Sequence, residues 1–148
     1  RRSSDLDATV GGLFNATALG YGAKVNANNT IQLGNTSITK VVTSGTIKSN
    51  GIISNLASKT SAYTITNLDE IITADATSAA FTISLPTAVG VTGQTFTIKR
   101  INSGSNAVTV GATSSQTIDG STTYSLSAQY KYVKVVSDGS NWIIVGNN

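Results

Sequence analysis

The chain has no cysteine and no histidine, and only 11% of its 148 residues are charged. Without cysteine, neither a disulfide framework nor a thiolate metal site can form. Without histidine, the commonest general base and metal ligand is missing. Serine is plentiful, yet no Ser–His triad can be assembled. No metal and no cofactor are expected. No apolar run approaches the roughly 20 residues of a membrane-spanning helix, so membrane insertion is not expected. Arg1-Arg2 leads into Ser3-Ser4-Asp5-Leu6-Asp7 with no apolar stretch behind it, unlike an export signal; the chain reads as a mature or excised piece. The ten basic residues give a net charge of +3 but are scattered. Their only adjacent pairs are Arg1-Arg2 and Lys99-Arg100. Nucleic-acid binding needs a clustered basic stripe, so no nucleic-acid partner is expected.

What the chain does have is Val, Ile, Thr, Ser, Asn and Gly. Little charge with many β-branched residues argues for folded β structure rather than disorder. Abundant hydroxyl and amide groups suit an extracellular particle or surface appendage better than a cytosolic enzyme. Two similar phrases, Thr17-Ala18-Leu19-Gly20 and Ile31-Gln32-Leu33-Gly34, lie fourteen positions apart. Short alternation closed by glycine and repeated at fixed spacing is the signature of a coil that stacks on copies of itself. A unit this thin needs neighbours to bury its apolar face. Ala16, Ala18, Ala23, Val25, Ala27, Ile31 and Leu33 are read as inward positions, with Gly20 and Gly34 closing each coil, and this repeat is expected to pack between chains around a shared axis.

Residues 41–47 read as an interrupted strand, and Asn50-Gly51 is a type I′ hairpin signal. The expected domains are a β-roll repeat with hairpin connector over 1–53, a small polar linker over 54–62, and an antiparallel β-domain over 63–148. Within the last, strands are expected at 62–66, 70–74, 81–85, 95–101, 107–110, 117–118, 123–126, 132–136 and 142–145. Turn signals such as Asp119-Gly120 and Asp138-Gly139 separate them. No convincing helix is present.

Catalytic candidates are few. The carboxylates are Asp5, Asp7, Asp69, Glu70, Asp75, Asp119 and Asp138, and glycosidase chemistry needs two of them facing each other. Asp119 and Asp138 precede glycine and read as turn formers; adjacent Asp69 and Glu70 would face opposite ways on a strand. A hydrolase would need pairing between chains. The aromatics are more informative: Tyr124, Tyr130, Tyr132 and Trp142 all fall in the last quarter. Val133 and Val135 share one face, and Tyr130, Tyr132 and Lys134 the other. The valine face reads as core. The tyrosine–lysine face is left for a sister chain, solvent or a ligand, so Tyr124, Tyr130, Tyr132 and Lys134 are the candidate ligand-binding residues. Trp142 alternates with Ile144 and reads as core or interface.

A resemblance can be added to these readings. Residues 15–23 followed by Ile31-Gln32-Leu33-Gly34 resemble the left-handed β-roll repeat of trimeric autotransporter adhesin heads. Residues 34–45 resemble the segment that follows such repeats in bacteriophage tail fibres. Ile83-Ser84-Leu85-Pro86, Phe96-Thr97-Ile98-Lys99, Thr117-Ile118-Asp119-Gly120 and the stretch from Ser137 to Trp142 resemble a small all-β module of phage tail-fibre proteins. Only one repeat interval is present, fewer than adhesin heads usually carry. No anchor barrel or self-cleaving fibre chaperone is recognisable, so attachment is expected through further sequence or another protein.

The resemblance implies an all-β homotrimeric fibre, with a short trimeric β-roll ahead of a compact antiparallel β-sandwich or β-prism. It implies a non-enzymatic tail fibre or related surface appendage. Its partners would be two sister chains, an upstream fibre or baseplate protein, and a bacterial surface receptor, glycan or protein. The alternatives are a pilin-like or matrix subunit and a fibre-borne glycan hydrolase.

Overall fold

A computed structural model describes residues 7–8, 12–38 and 41–148. Arg1-Arg2, Asp5 and Thr39-Lys40 lie outside the described residues, which form thirteen short strands and no helix. The chain divides into two compact units, Arg1–Asn50 and Gly51–Asn148.

In the N-terminal unit, β1 (Asp7–Ala8), β2 (Ala16–Leu19), β3 (Lys24–Val25) and β4 (Thr30–Leu33) alternate between two ladders. β1 pairs with β3 and β2 with β4, both in parallel. The fourteen-residue repeat is one turn of this coil: Thr17 lies beside Ile31 and Leu19 beside Leu33. Asn15 and Asn29 hold matching left-handed backbone, φ 50° and 56°, a conformation asparagine tolerates. The Asn15 Nδ2 amide donates to Asn29 Oδ1 at 2.9 Å, and the Phe14 N–H donates to Asn28 Oδ1 at 2.9 Å.

Gly20 and Gly34 occupy the second pair of left-handed corners, at φ 113° and 71°. A Cβ at Gly34 would sit 2.2 Å from Ile38 Cγ1, and one at Gly20 would meet Gly34 Cα at 3.4 Å. The interior these corners enclose is small: among the described residues Ala18, Ala23 and Val25 are buried in it and Leu13 and Ala16 partly so.

Three inward readings are corrected. Ile31 is 70% exposed and Leu33 46% exposed, and Ala27 is also exposed. The reason is phase. Side chains alternate along a strand, and an even repeat preserves that alternation between coils. With Ala16 and Ala18 inside, their partners Thr30 and Gln32 face inward, and Ile31 and Leu33 join Thr17 and Leu19 outside.

Asn50-Gly51 does not close a hairpin, since no strand lies among the described residues between β4 and β5. Ile47, Ile52 and Ile53 beside it are exposed. A turn sequence makes a hairpin only where its flanks have a face to bury.

The C-terminal unit contains β5 (Leu56–Lys59), β6 (Tyr63–Thr64), β7 (Ile71–Ala74), β8 (Phe81–Ser84), β9 (Thr95–Arg100), β10 (Val108–Gly111), β11 (Thr123–Leu126), β12 (Tyr132–Ser137) and β13 (Trp142–Asn147). One sheet has the order β13-β12-β9-β7-β5, the other β11-β10-β8-β6. From β5 to β10 every strand crosses to the opposite sheet. β5, β7 and β9 therefore run parallel, as do β6, β8 and β10. Among the described strands, the antiparallel pairs are β10–β11, β9–β12 and β12–β13.

The antiparallel expectation is thus corrected to a wound, mixed sandwich. The turn spacing was compatible with either arrangement, because a strand in the facing sheet serves as the crossover that parallel neighbours require. The 54–62 linker is corrected too. It contains β5, whose Leu56 pairs with Ile71 and Lys59 with Ala74.

Inner-face residues of both sheets share one core, including Ile72, Phe96, Ile98, Val133 and Val135 from one and Ile83, Val108, Val110 and Leu126 from the other. Trp142 is fully buried there, its ring centroid 5.4 Å from that of Phe96. Its Nε1–H donates to the Pro86 carbonyl at 3.2 Å.

Arg100, also fully buried, ends β9 without a carboxylate partner among its hydrogen bonds. Its Nε donates to Asn102 Oδ1 at 3.1 Å, Nη1 to the Leu126 carbonyl at 3.2 Å, and Nη2 to the Gly104 carbonyl. Asn102 Oδ1 also takes the Ala76 N–H at 3.0 Å, so the guanidinium ties together three loops at one end of the sandwich.

Two outcomes follow. Gly34→Ala should destabilise the coil by about 1–2 kcal/mol, seen as faster amide exchange at Thr30–Leu33. Gly45→Ala, with nothing within 4 Å of its Cβ position, should leave exchange unchanged. Arg100→Met should lower the stability of the C-terminal unit by about 3 kcal/mol, read from urea midpoints, because it strands buried carbonyls.

Candidate functional site

The outer face of the five-stranded sheet presents polar and apolar side chains from neighbouring strands. Tyr132 and Lys134 alternate with the buried Val133 and Val135 on β12 and point away from the core. On β9, Thr97 and Lys99 alternate with the buried Phe96 and Ile98 in the same way. The register places Tyr132 beside Lys99 and Lys134 beside Thr97. Tyr130 precedes β12, is 57% exposed, and its ring centroid lies 5.6 Å from Lys99 Nζ. Tyr130, Tyr132 and Lys134 are therefore brought together, with Lys99 as a fourth member.

Lys99 was missed in the sequence because it sits beside Arg100 in a strand-like run. Only the strand register shows that the ammonium faces the tyrosines while the guanidinium turns inward.

Tyr130 has φ 63°. A bulky residue in left-handed backbone is a genuine outlier. Backbone bonds fix it: the Tyr130 N–H donates to the Arg100 carbonyl at 2.9 Å, and Asn148 Nδ2 donates to the Tyr130 carbonyl at 3.5 Å. Asn148 Oδ1 also accepts the Tyr132 N–H at 2.9 Å.

Tyr124 does not share this face. It lies on β11 of the other sheet, packs against the core, and its hydroxyl accepts a bond from Asn147 Nδ2 at 3.0 Å. It joins the edges of the two sheets.

The carboxylates are occupied locally. Asp69 is buried and takes bonds at 2.8–2.9 Å from the Tyr63 hydroxyl, the Thr66 N–H and the Thr66 hydroxyl. Lys59 Nζ lies 3.5 Å from the centre of the Tyr63 ring. Burial pushes the Asp69 carboxyl up. The Thr66 N–H, the Tyr63 and Thr66 hydroxyls and the Lys59 charge together outweigh that and hold it below the ordinary aspartate value.

The Thr77 hydroxyl and N–H hold Asp75 down, and the Asn141 and Ser140 N–H groups do the same for Asp138. Asp119 Oδ1 accepts the Ile144 N–H at 3.1 Å, and Glu70 Oε1 accepts the Ser54 hydroxyl at 2.8 Å. Among the described residues, no group of three or more His, Cys, Asp or Glu side chains is placed to hold a metal ion.

The second surface of interest is the outside of the N-terminal coil. Leu19, Ile31, Leu33, Ile38 and Val41 are 46–70% exposed. A shallow cleft of about 340 Å³ is lined by Leu19, Gly20, Leu33, Gly34, Ile38 and Val41. Of the repeat residues expected to pack between chains, Ala18, Ala23 and Val25 instead fill the coil's own interior.

No protein-family model matches the chain, and no curated protein matches it either.

The Asp69 bonds give a pH dependence of defined sign. A carboxyl whose folded pKa is depressed adds stability that is complete above its unfolded pKa. That stability is lost as pH falls through the folded value. Chemical denaturation of the C-terminal unit should show stability falling below about pH 4. Asp69→Asn should be less stable than wild type at pH 7, with the difference shrinking at low pH.

Proposed function

We propose that the chain is a segment of a homotrimeric fibre of the bacteriophage tail-fibre type, carried on a virion or as an extracellular appendage. It would connect an upstream fibre or baseplate protein to a bacterial surface receptor. The observation that carries this reading is the N-terminal coil. Among the described residues, three small buried side chains form its interior, while larger aliphatic residues such as Leu19, Ile31 and Leu33 stand exposed on its outside. An arrangement inverted in this way is stable when other surfaces cover the outside, at about 1.5–3 kcal/mol per aliphatic side chain buried.

Sister chains are the occupant that the resemblance of residues 15–34 to trimeric adhesin repeats supports. Closed symmetry would also limit assembly to a finite fibre cross-section. The receptor end in this reading is the C-terminal unit, with Tyr130, Tyr132 and Lys134 as its contact residues. Three copies would combine weak contacts into avidity. Asp69, Asp75 and Asp138 are held below their ordinary value, which disfavours these three as the raised-pKa acid that a glycosidase needs.

Light scattering on the full chain tests the assembly. A mass of three chains is expected across the micromolar range. Leu33→Asp should reduce it to one chain while leaving the melting of the C-terminal unit unchanged. A single-chain mass for the wild type at these concentrations rules the trimer out, and mass that grows without limit as concentration rises favours a pilin-like subunit.

A further inference from the structure

Resting on the receptor-binding reading above, we infer that the Tyr130–Lys99 platform takes an acidic polysaccharide, a polymer of carboxylated sugars. Three observations converge on it.

The first is strain. Tyr130 sits at φ 63° and is more than half exposed as a residue. Glycine would occupy that corner without steric penalty. Strained, over-determined residues gather at ligand sites. Here the Arg100 carbonyl and the Asn148 side chain fix the backbone on both sides of the ring.

The second is charge. Lys99 Nζ stands 5.6 Å from the Tyr130 ring centroid, and Lys134 projects from the next strand beside Thr97. β9, β12 and β13 carry no acidic residue. The nearest acid along the neighbouring strand, Asp75, is occupied by the Thr77 N–H at 2.9 Å and hydroxyl at 2.6 Å. Two ammonium groups beside two tyrosine rings offer apolar contact to a sugar face and compensation for its carboxylates.

The third is position. β5 begins next to Asn55, at one end of the C-terminal unit. β5, β7 and β9 run parallel away from that end, and β12 runs back toward it. Lys99 near the end of β9 and Tyr132 at the start of β12 therefore lie at the end of the sheet opposite Asn55, and the platform sits together at one end.

The test uses the full chain against immobilised alginate, polygalacturonate and polysialate, with dextran as the uncharged comparator. Binding to at least one acidic polymer and not to dextran is expected, weakening as salt shortens the screening length from about 10 Å at 0.1 M to about 3 Å at 1 M. Tyr130→Gly should weaken it about tenfold while keeping or raising the melting temperature, which separates a ligand role from a structural one. Lys99→Gln with Lys134→Gln should remove the salt dependence.

Equal binding to dextran, or full binding by Tyr130→Gly, overturns the inference. Adsorption to bacterial cells without binding to any acidic polymer overturns it while the receptor-binding reading stands. Adsorption to neither overturns both.

Discussion

Strands of two to six residues have too little surface to bury on their own, and everything else in this chain follows from how that shortage is met. Each strand leaves its inner face for a later strand to cover, and from β5 to β10 the chain supplies the cover by stepping to the opposite sheet every time. The core therefore assembles in layers across the sheets. Phe96 and Ile98 wait for Val108 and Val110, and Trp142 seals the end against Phe96. The N-terminal coil uses the same alternation with strands too short and interiors too small to finish the task, leaving its larger aliphatic residues outside.

Much of this was legible in the sequence. All nine strands anticipated after residue 61 have a counterpart, with 117–118 reduced to single-residue bridges at Ile118. Period-two patterning identifies a strand wherever one face is apolar, as at Phe96/Ile98 and Val133/Val135. It failed at β5 because Leu56-Ala57-Ser58-Lys59 carries no such face: Leu56 on one side is 63% exposed, and the other side is an alanine and a lysine. Strand direction was not legible either. Turn residues mark where a strand ends but not which sheet receives the next one.

The candidate surface was half legible. Alternation grouped Tyr132 with Lys134 correctly, because both belong to one strand. Lys99 belongs to another strand, and its closeness to Tyr132 exists only through register. Tyr124 was grouped by nearness in sequence, yet the step from β11 to β12 changes sheets. The phase of Ile31 and Leu33 is different in kind. An even repeat with Ala16 and Ala18 inside already places them outside, so the sequence contained the answer and the arithmetic of fourteen was the way to it.

The winding also has a mechanical meaning. β5 and β13 are the two edges of the five-stranded sheet and run in the same direction, so Asn55 and Asn147 lie at opposite ends of it. A load pulling those two residues apart acts along the strands, not across them. The backbone bonds between β5 and β7 would share that load and yield together instead of unzipping one at a time. The parallel pairing of β5 with β7 thus places its backbone bonds in shear along the line from Asn55 to Asn147.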